Sequence, residues 1–303
     1  MNEKRKLLAI LAHPDDESLG AGSTLAKYAA EGVETSLICA TKGERGWMGD
    51  EQDHPGFKKL GEMREQELLC AADTLGIKRV HFLDYLDGDL DQVPVQEAVE
   101  KIVALIRQIR PQVVFSFGPD GVYGHPDHIA ISQFSQAACL CAADPSFGDK
   151  GDGPPHVVRK FYYMLIDDRL AENYTKLFGE IEMQVDGVRR GVLPWRDWAY
   201  TTVIDGSAHW RAALEAVNCH KSQVAILGEL NGLSGAASIE LWGRRPYYRA
   251  YSLVNGGRKQ ESDFFEGLSR SKRAGTGFDS KLPRFPVRLQ FSCGSLCHGG
   301  LTI

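Results

Sequence analysis

The apolar run Leu7-Leu8-Ala9-Ile10-Leu11-Ala12 breaks directly into His13-Pro14-Asp15-Asp16-Glu17. Six apolar residues suit a buried strand and fall far short of the roughly 20 needed to cross a bilayer. The titratable cluster therefore sits at the carboxyl end of a buried strand, where open α/β sheets hold their chemistry. A second run, Val113-Val114-Phe115-Ser116-Phe117, leads in the same way to Tyr123-Gly124-His125-Pro126-Asp127-His128.

The segments around these two runs alternate helix with strand. Residues 20–30 read as a helix with Leu25, Tyr28 and Ala29 on one face and Gly32 as its stop. Residues 34–40 and 79–83 read as strands, Phe57–Leu75 as a helix ended by Gly76, and 126–143 as a helix. Over 94–110, Val95, Val99, Ile102, Val103, Ile106 and Ile109 recur at helical spacing until Pro111 stops them. This alternation predicts an α/β fold: a Rossmann-like, doubly wound, mainly parallel sheet with helices on both faces and a smaller C-terminal mixed segment. Right-handed crossovers place the loops after the first and fourth strands on one edge of the sheet. If those strands are neighbours, the two His/Asp clusters face each other across the switch point.

The remaining pattern is coarser. The loop at 41–56 is long for a compact domain and reads as functional or disordered. A Gly/Pro/Asp-rich break at 144–155 marks a change of organisation. Beyond it, 161–166 and 201–204 read as strands, 207–226 as a helix capped by Ser207, and 241–253 as a strand pair near the site. The expected organisation is one α/β domain over 1–268, with a catalytic core at 1–145 and a substrate-shaping part at 155–268. A basic, loosely ordered tail follows at 269–303.

Composition narrows the function class. The chain is 43% apolar and 25% charged, the balance of an ordinary globular protein. Its net charge of -5 points away from nucleic acid and from anionic membranes as partners. Lys4, Arg5 and Lys6 imitate the start of a signal peptide, but the apolar run ends too soon in His and Asp. The seven cysteines are scattered and odd in number, which reads as reduced thiols in a cytoplasmic protein. Cys293, Cys297 and His298 lack the second cysteine pair that a zinc-spacing motif needs. Homo-oligomerisation is left open.

Three ligands and one open position describe a catalytic zinc. His13 and Asp16, three apart in a strand-to-helix turn, can point into one hole, and His128 can add the third ligand. Amide hydrolysis then needs a base for water and a donor for the developing oxyanion. Asp15 is the natural base, His125 the natural acid and oxyanion donor, and Tyr123 a second donor. Asp127 can orient an imidazole from outside the ligand set. Taken alone, a His-Pro-Asp segment is more often a turn. Two such segments, each just past a buried strand, argue for a shared site.

The run Ala12-His13-Pro14-Asp15-Asp16-Glu17, then Gly43-Glu44-Arg45-Gly46, then Gly124-His125-Pro126-Asp127-His128, resembles the LmbE/PIG-L superfamily of zinc-dependent de-N-acetylases. The resemblance spans about 5–135 and resumes weakly at Arg211-Ala212-Ala213-Leu214-Glu215-Ala216 and His220-Lys221-Ser222-Gln223. It implies Zn²⁺, with Fe²⁺ or Co²⁺ as substitutes, and a small-molecule N-acetylglucosaminyl conjugate as substrate. It assigns His13, Asp16 and His128 to the metal, Asp15 to base, His125 to acid, Asp127 to orientation and Tyr123 to assistance. Arg64, Asp87 and Glu44 are implied at the sugar, and His220 carries over without a role. An amidase acting on a thiol-conjugate amide is the nearest rival. A non-haem Fe(II) oxygenase shares the two-His, one-carboxylate set, but enzymes of that His-x-Asp type are commonly jelly rolls, not alternating helix and strand. A non-catalytic sugar-binding protein would have no need of Asp15 or His125.

Overall fold

Strand β1 (Lys6–Leu11) is buried from Leu7 to Leu11. It pairs in parallel with β2 (Glu34–Thr41) on one side and β4 (Val113–Phe117) on the other. A strand flanked on both edges and covered on both faces has no solvent side, so its sequence is continuously apolar rather than alternating. In the computed structural model, residues 4–148, 151, 153–257 and 259–268 are described. The expected tail at 269–303, with Cys293, Cys297 and His298, lies outside them.

The chain order is β1, α1 (Asp16–Ala30), β2, α2 (Phe57–Leu75), β3 (Arg79–Tyr85), α3 (Val95–Ile109), β4, a single distorted turn α4 (Gly121–Gly124) and α5 (Pro126–Cys141). Then come β5 (Lys160–Met164), α6 (Asp168–Phe178), the hairpin β6 (Glu182–Val185) and β7 (Val188–Gly191), and β8 (Thr202–Asp205). Helices α7 (Trp210–Val217), α8 (Val224–Asn231) and α9 (Gly235–Trp242) lead to β9 (Arg244–Ser252). The main sheet runs β3-β2-β1-β4-β5-β9-β8, parallel except where β9 lies antiparallel between β5 and β8. The chain leaves β1 toward β2 on one side and later returns to β4 on the other, so the switch point falls between β1 and β4.

The expected strand pair at 241–253 is instead the last residues of α9 followed by the single strand β9. Ser234 sets the start of that helix by accepting from the Ala237 N–H. The expected helix at 207–226 is also divided. A 3₁₀ turn (Ser207–His209) precedes α7, and a break separates α7 from α8. Gly206, not Ser207, holds the cap position, and the Ser207 hydroxyl reaches the Gly243 carbonyl. The break frees Cys219 and His220 for tertiary bonds that a continuous helix would not reach, so propensity yields to packing.

The C-terminal end of the sheet is held by a buried charge cluster. Glu261 takes Lys160 Nζ at 2.6 Å and Arg249 Nη1 at 2.9 Å, with Tyr162 and Thr202 hydroxyls donating to its other oxygen. A charge this deep is tolerated only with such partners.

Cys70 on α2 and Cys219 after α7 form a disulfide. That corrects the reading of every cysteine as a reduced thiol, on which the cytoplasmic expectation rested. Among the described cysteines, Cys39, Cys139 and Cys141 are free. Among the described residues, no helix is long and apolar enough to cross a membrane. The bridge closes a loop with a sequence separation of 149, so it removes much freedom from the unfolded chain. Cys70→Ser should lower the unfolding free energy by about 2–4 kcal/mol in urea titrations without reductant. Dithiothreitol should destabilise the natural protein to a similar degree and leave the variant unmoved.

Candidate active site

Helix α1 starts one residue after Asp15, whose backbone has φ 115° and ψ -28°. A side chain-bearing residue in that region costs on the order of 1–3 kcal/mol and persists only where its surroundings impose it. Here they do. The Asp15 N–H donates to Glu17 Oε2 at 3.1 Å, and the Asp15 carbonyl accepts from Ser18 and Leu19. Arg64 Nη2 donates to Asp15 Oδ2 at 2.8 Å. The same buried guanidinium donates to the Pro14 and Gly43 carbonyls. Arg64, expected at a sugar hydroxyl, thus braces the turn that carries Asp15.

His13 stands at the centre. Its N–H donates to Asp16 Oδ2 at 2.7 Å. Its ring Nδ1 lies 3.2 Å from His128 Nε2 and 3.7 Å from Asp16 Oδ2, and His128 Nε2 lies 3.5 Å from Asp16 Oδ1. One donor atom from each of His13, Asp16 and His128 falls within 4.8 Å of the others. The opposite ring nitrogen, Nε2, is 3.1 Å from Asp87 Oδ1 and 3.2 Å from Asp127 Oδ2. Asp127 is held in turn by the Gly88 and Leu90 N–H groups at 2.7 and 3.1 Å. His13, His125 and Asp127 form a second grouping within the same limit. In that grouping the Asp127 oxygens are already taken by backbone donors, which favours the first.

His125 caps α5, its Nδ1 accepting the Asp127 N–H at 3.2 Å. In the neutral ring that acceptor places the proton on Nε2. The His125 ring stacks on His128 with centroids 4.6 Å apart, and His128 stacks on Phe117 at 3.9 Å. Tyr123 meets both histidines edge-on at 5.8 and 5.6 Å. The turn that presents Tyr123 and His125 runs through Gly121, Val122 and Gly124, all at positive φ. Arg190 from β7 donates to the Gly124 carbonyl at 2.9 Å, and a Cβ on Gly124 would meet the Arg190 chain at 2.7 Å.

Burial and the acidic neighbours shape the titration. Burial alone would lower His13, yet hydrogen bonds to Asp127 and Asp87 and the charge of Asp16 carry it up to about 10. Burial, with the charges of Asp15 and Glu17, lifts Asp16 to about 7. Burial lifts Asp15 against the pull of Arg64 and His220. Burial and the charge of His13 push His125 down to about 4 and His128 well below the usual imidazole range. The raised His13 follows chiefly from Asp127 and Asp87 at Nε2, while its Nδ1 faces His128 and Asp16. Two imidazole nitrogens and a carboxylate, converging from one side, are a donor set that suits Zn²⁺, Fe²⁺ or Co²⁺.

Glu44 and Asp87 meet across two loops. Glu44 Oε2 accepts the Asp87 N–H at 3.3 Å, and Asp87 Oδ2 accepts the Arg45 N–H at 3.1 Å. Arg45 closes the same gap with a bidentate pair to Asp89 at 2.6 and 2.9 Å. Sequence reasoning gave no part to Glu17, although it lies in the first cluster, and none to Arg190. A buried acid beside two others was the available signal for Glu17. Arg190 comes from a hairpin with no marking in the sequence.

Residues 8–139 match the family model described as PIG-L, GlcNAc-PI de-N-acetylase. A 1D-myo-inositol 2-acetamido-2-deoxy-alpha-D-glucopyranoside deacetylase of Streptomyces griseus is 33% identical over 300 residues, spanning 87% of this chain and 89% of its own. Among solved structures, a conserved protein of Thermus thermophilus superposes with a TM-score of 0.59 at 25% identity, covering 84% of this chain and 98% of that one. An N,N'-diacetylchitobiose deacetylase from Pyrococcus horikoshii has the same fold, with a TM-score of 0.59 at 20% identity over 82% of this chain and 84% of its own.

Because Asp127 holds the ring of His13 from the side away from His128 and Asp16, Asp127→Ala should weaken metal binding by about 10- to 100-fold. Competition with a chromogenic chelator measures this, and unchanged affinity would detach Asp127 from the orientation of His13.

Proposed function

The chain belongs to the PIG-L family of de-N-acetylases, and we propose that it hydrolyses the acetamide of a small-molecule N-acetylglucosaminyl conjugate, releasing acetate and a free amine. The observation that carries this reading is the convergence of His13 Nδ1, His128 Nε2 and the Asp16 carboxylate, with Asp15 and His125 beside them. In this reading those three residues hold a divalent ion, Zn²⁺ in the first instance. When bound, such an ion polarises the amide carbonyl and brings the pKa of water from about 16 to about 7.

The chain's own residues do the rest. Arg64 occupies Asp15 Oδ2, which leaves Oδ1 to take the proton of the attacking water. His125 has Nδ1 filled by the Asp127 N–H, so its Nε2–H donates to the developing oxyanion, while the proton that Asp15 took from water passes to the leaving nitrogen. Tyr123, on the turn before it, offers its hydroxyl to the same oxygen. Asp127 keeps the His13 ring from turning. Glu44 and Asp87, tied together at the mouth of the β2 and β3 loops, hold sugar hydroxyls, while Arg64 acts on Asp15 before it acts on any sugar. The part of the chain after residue 155, with Arg190 against the Gly124 turn, shapes the room for the rest of the conjugate.

Chelated protein should release no amine from N-acetylglucosamine or its inositol conjugate, and Zn²⁺, Fe²⁺ or Co²⁺ should restore release. Activity on none of these sugars, together with activity on a thiol-conjugate amide, would move the reading to a conjugate amidase. Asp15→Ala should retain metal and lose on the order of 10²–10⁴ in rate, the range of a positioned acid–base group. Near-natural turnover in that variant would remove Asp15 from the reaction. His13→Ala should fail to retain metal on gel filtration, and full stoichiometry there would overturn the ligand set.

A further inference from the structure

His220 is 1% exposed and belongs to none of the groups assigned above. Its Nε2 lies 2.8 Å from Glu17 Oε1, which also accepts the Ser18 hydroxyl. Glu17 is itself 0% exposed, and its second oxygen accepts the Asp15 N–H at 3.1 Å. A line of contacts thus runs from an imidazole to a buried carboxylate to the backbone of the proposed base. That backbone is the one at φ 115°, which relaxes unless something holds its N–H. A buried carboxylate needs a partner of its own to keep both oxygens fixed, and His220 is the group that faces it.

The segment that carries His220 is fastened at three further points. Cys219 is bridged to Cys70, Ser222 gives its N–H and hydroxyl to the two Glu67 oxygens at 2.7 Å each, and Gln223 donates to the Gly46 carbonyl at 2.8 Å. Cys70 and Glu67 lie on α2, the helix that also presents Arg64 to Asp15. One body therefore fixes Asp15 twice: Arg64 takes its carboxylate, and His220 takes its backbone through Glu17. This also accounts for the break after α7, since His220 turns inward where a helix would have carried on.

We propose that His220 is a positioning residue for Asp15, acting through Glu17; the inference rests on Asp15 being the base. The variants His220→Gln and His220→Asn separate this from a merely structural role. The glutamine amide nitrogen falls near the place of Nε2 and reaches Glu17, whereas the asparagine amide falls near Nδ1 and does not. With metal-loaded full chain and N-acetylglucosamine as substrate, His220→Asn should lose about 10- to 100-fold in kcat with KM within about twofold, as for a reacting group held slightly off line. His220→Gln should keep kcat within about threefold of the natural protein. Metal stoichiometry should be unchanged in both.

Hydrogen exchange at the Asp15 N–H supplies a readout that needs no substrate. It should quicken at least about tenfold in His220→Asn and stay near the natural rate in His220→Gln, with the interior of α1 still protected. Equal kcat for the two variants, or an unchanged Asp15 exchange rate in His220→Asn, would overturn the proposal. So would a fall in melting temperature or metal content with kcat per loaded molecule intact. Absence of amine release by the natural metal-loaded protein would instead count against the function reading, and the exchange comparison would still decide the role of His220.

Discussion

Everything at the candidate site depends on β1 and β4 being neighbours. Leu7, Leu8 and Ala9 pair in parallel with Val113, Val114 and Phe115, and the Ser116 hydroxyl donates to the Ile10 carbonyl at 2.7 Å. Both strands then end at the same edge, and the chain leaves each with its first polar residues in hand. The connections from β1 and β4 run to opposite sides of the sheet, so the two loops splay and a crevice opens at their carboxyl ends. His13 enters it two residues past β1, and His128 enters from the first turn of α5. The Phe117 ring, stacked on His128, makes the floor. A shift of register between β1 and β4 would separate His13 Nδ1 from His128 Nε2, 3.2 Å apart across two strands buried at the centre of the sheet.

Around that crevice the chain accumulates negative charge that it does not balance. Asp15, Asp16, Glu17, Asp87 and Asp127 crowd one small volume, opposed by Arg64 and by protonated histidine. Folding tolerates this because each carboxylate is held by something specific: Arg64 for Asp15, two backbone N–H groups for Asp127, His220 for Glu17. Asp16 is the exception. Its fixed contact is the His13 N–H, and its carboxylate otherwise faces two imidazole nitrogens. The least compensated acid is the one that looks at the two nitrogens, which is the arrangement a cation would complete.

Much of this was legible in the sequence because the signals were local. Val113–Phe117 and Phe57–Leu75 have the bounds their patterns suggested, since an all-apolar run and an amphipathic run ended by Gly76 leave little choice. The two His/Asp clusters stood out as a pair, since one His-Pro-Asp segment is a common turn but two, each just past a buried strand, have few bland uses. What could not be read is what depends on distant partners. Arg64 looks like one helix charge among several until Pro14, Gly43 and Asp15 are folded against it. Cys70 and Cys219 carry no spacing that announces a pair. The pattern over 207–226 favours one helix, and only tertiary bonds from Cys219, His220 and Ser222 decide where it stops.

The two halves of the site answer to different constraints, and this bears on how such a chain varies. His13, Asp15 and Asp16 sit on the turn after β1 that Arg64 of α2 braces, and His128 on the first turn of α5, where a displacement would strain the core. The turn at Gly121–Gly124 and the Arg190 hairpin rest on loops, held by few bonds and open to change at small cost to the core. That turn and hairpin can therefore change with little effect on the turn that carries Asp15. The Glu17–His220 contact crosses this divide. It ties the strain at Asp15 to a segment beyond residue 200, so the later part of the chain carries a share of holding that turn in place.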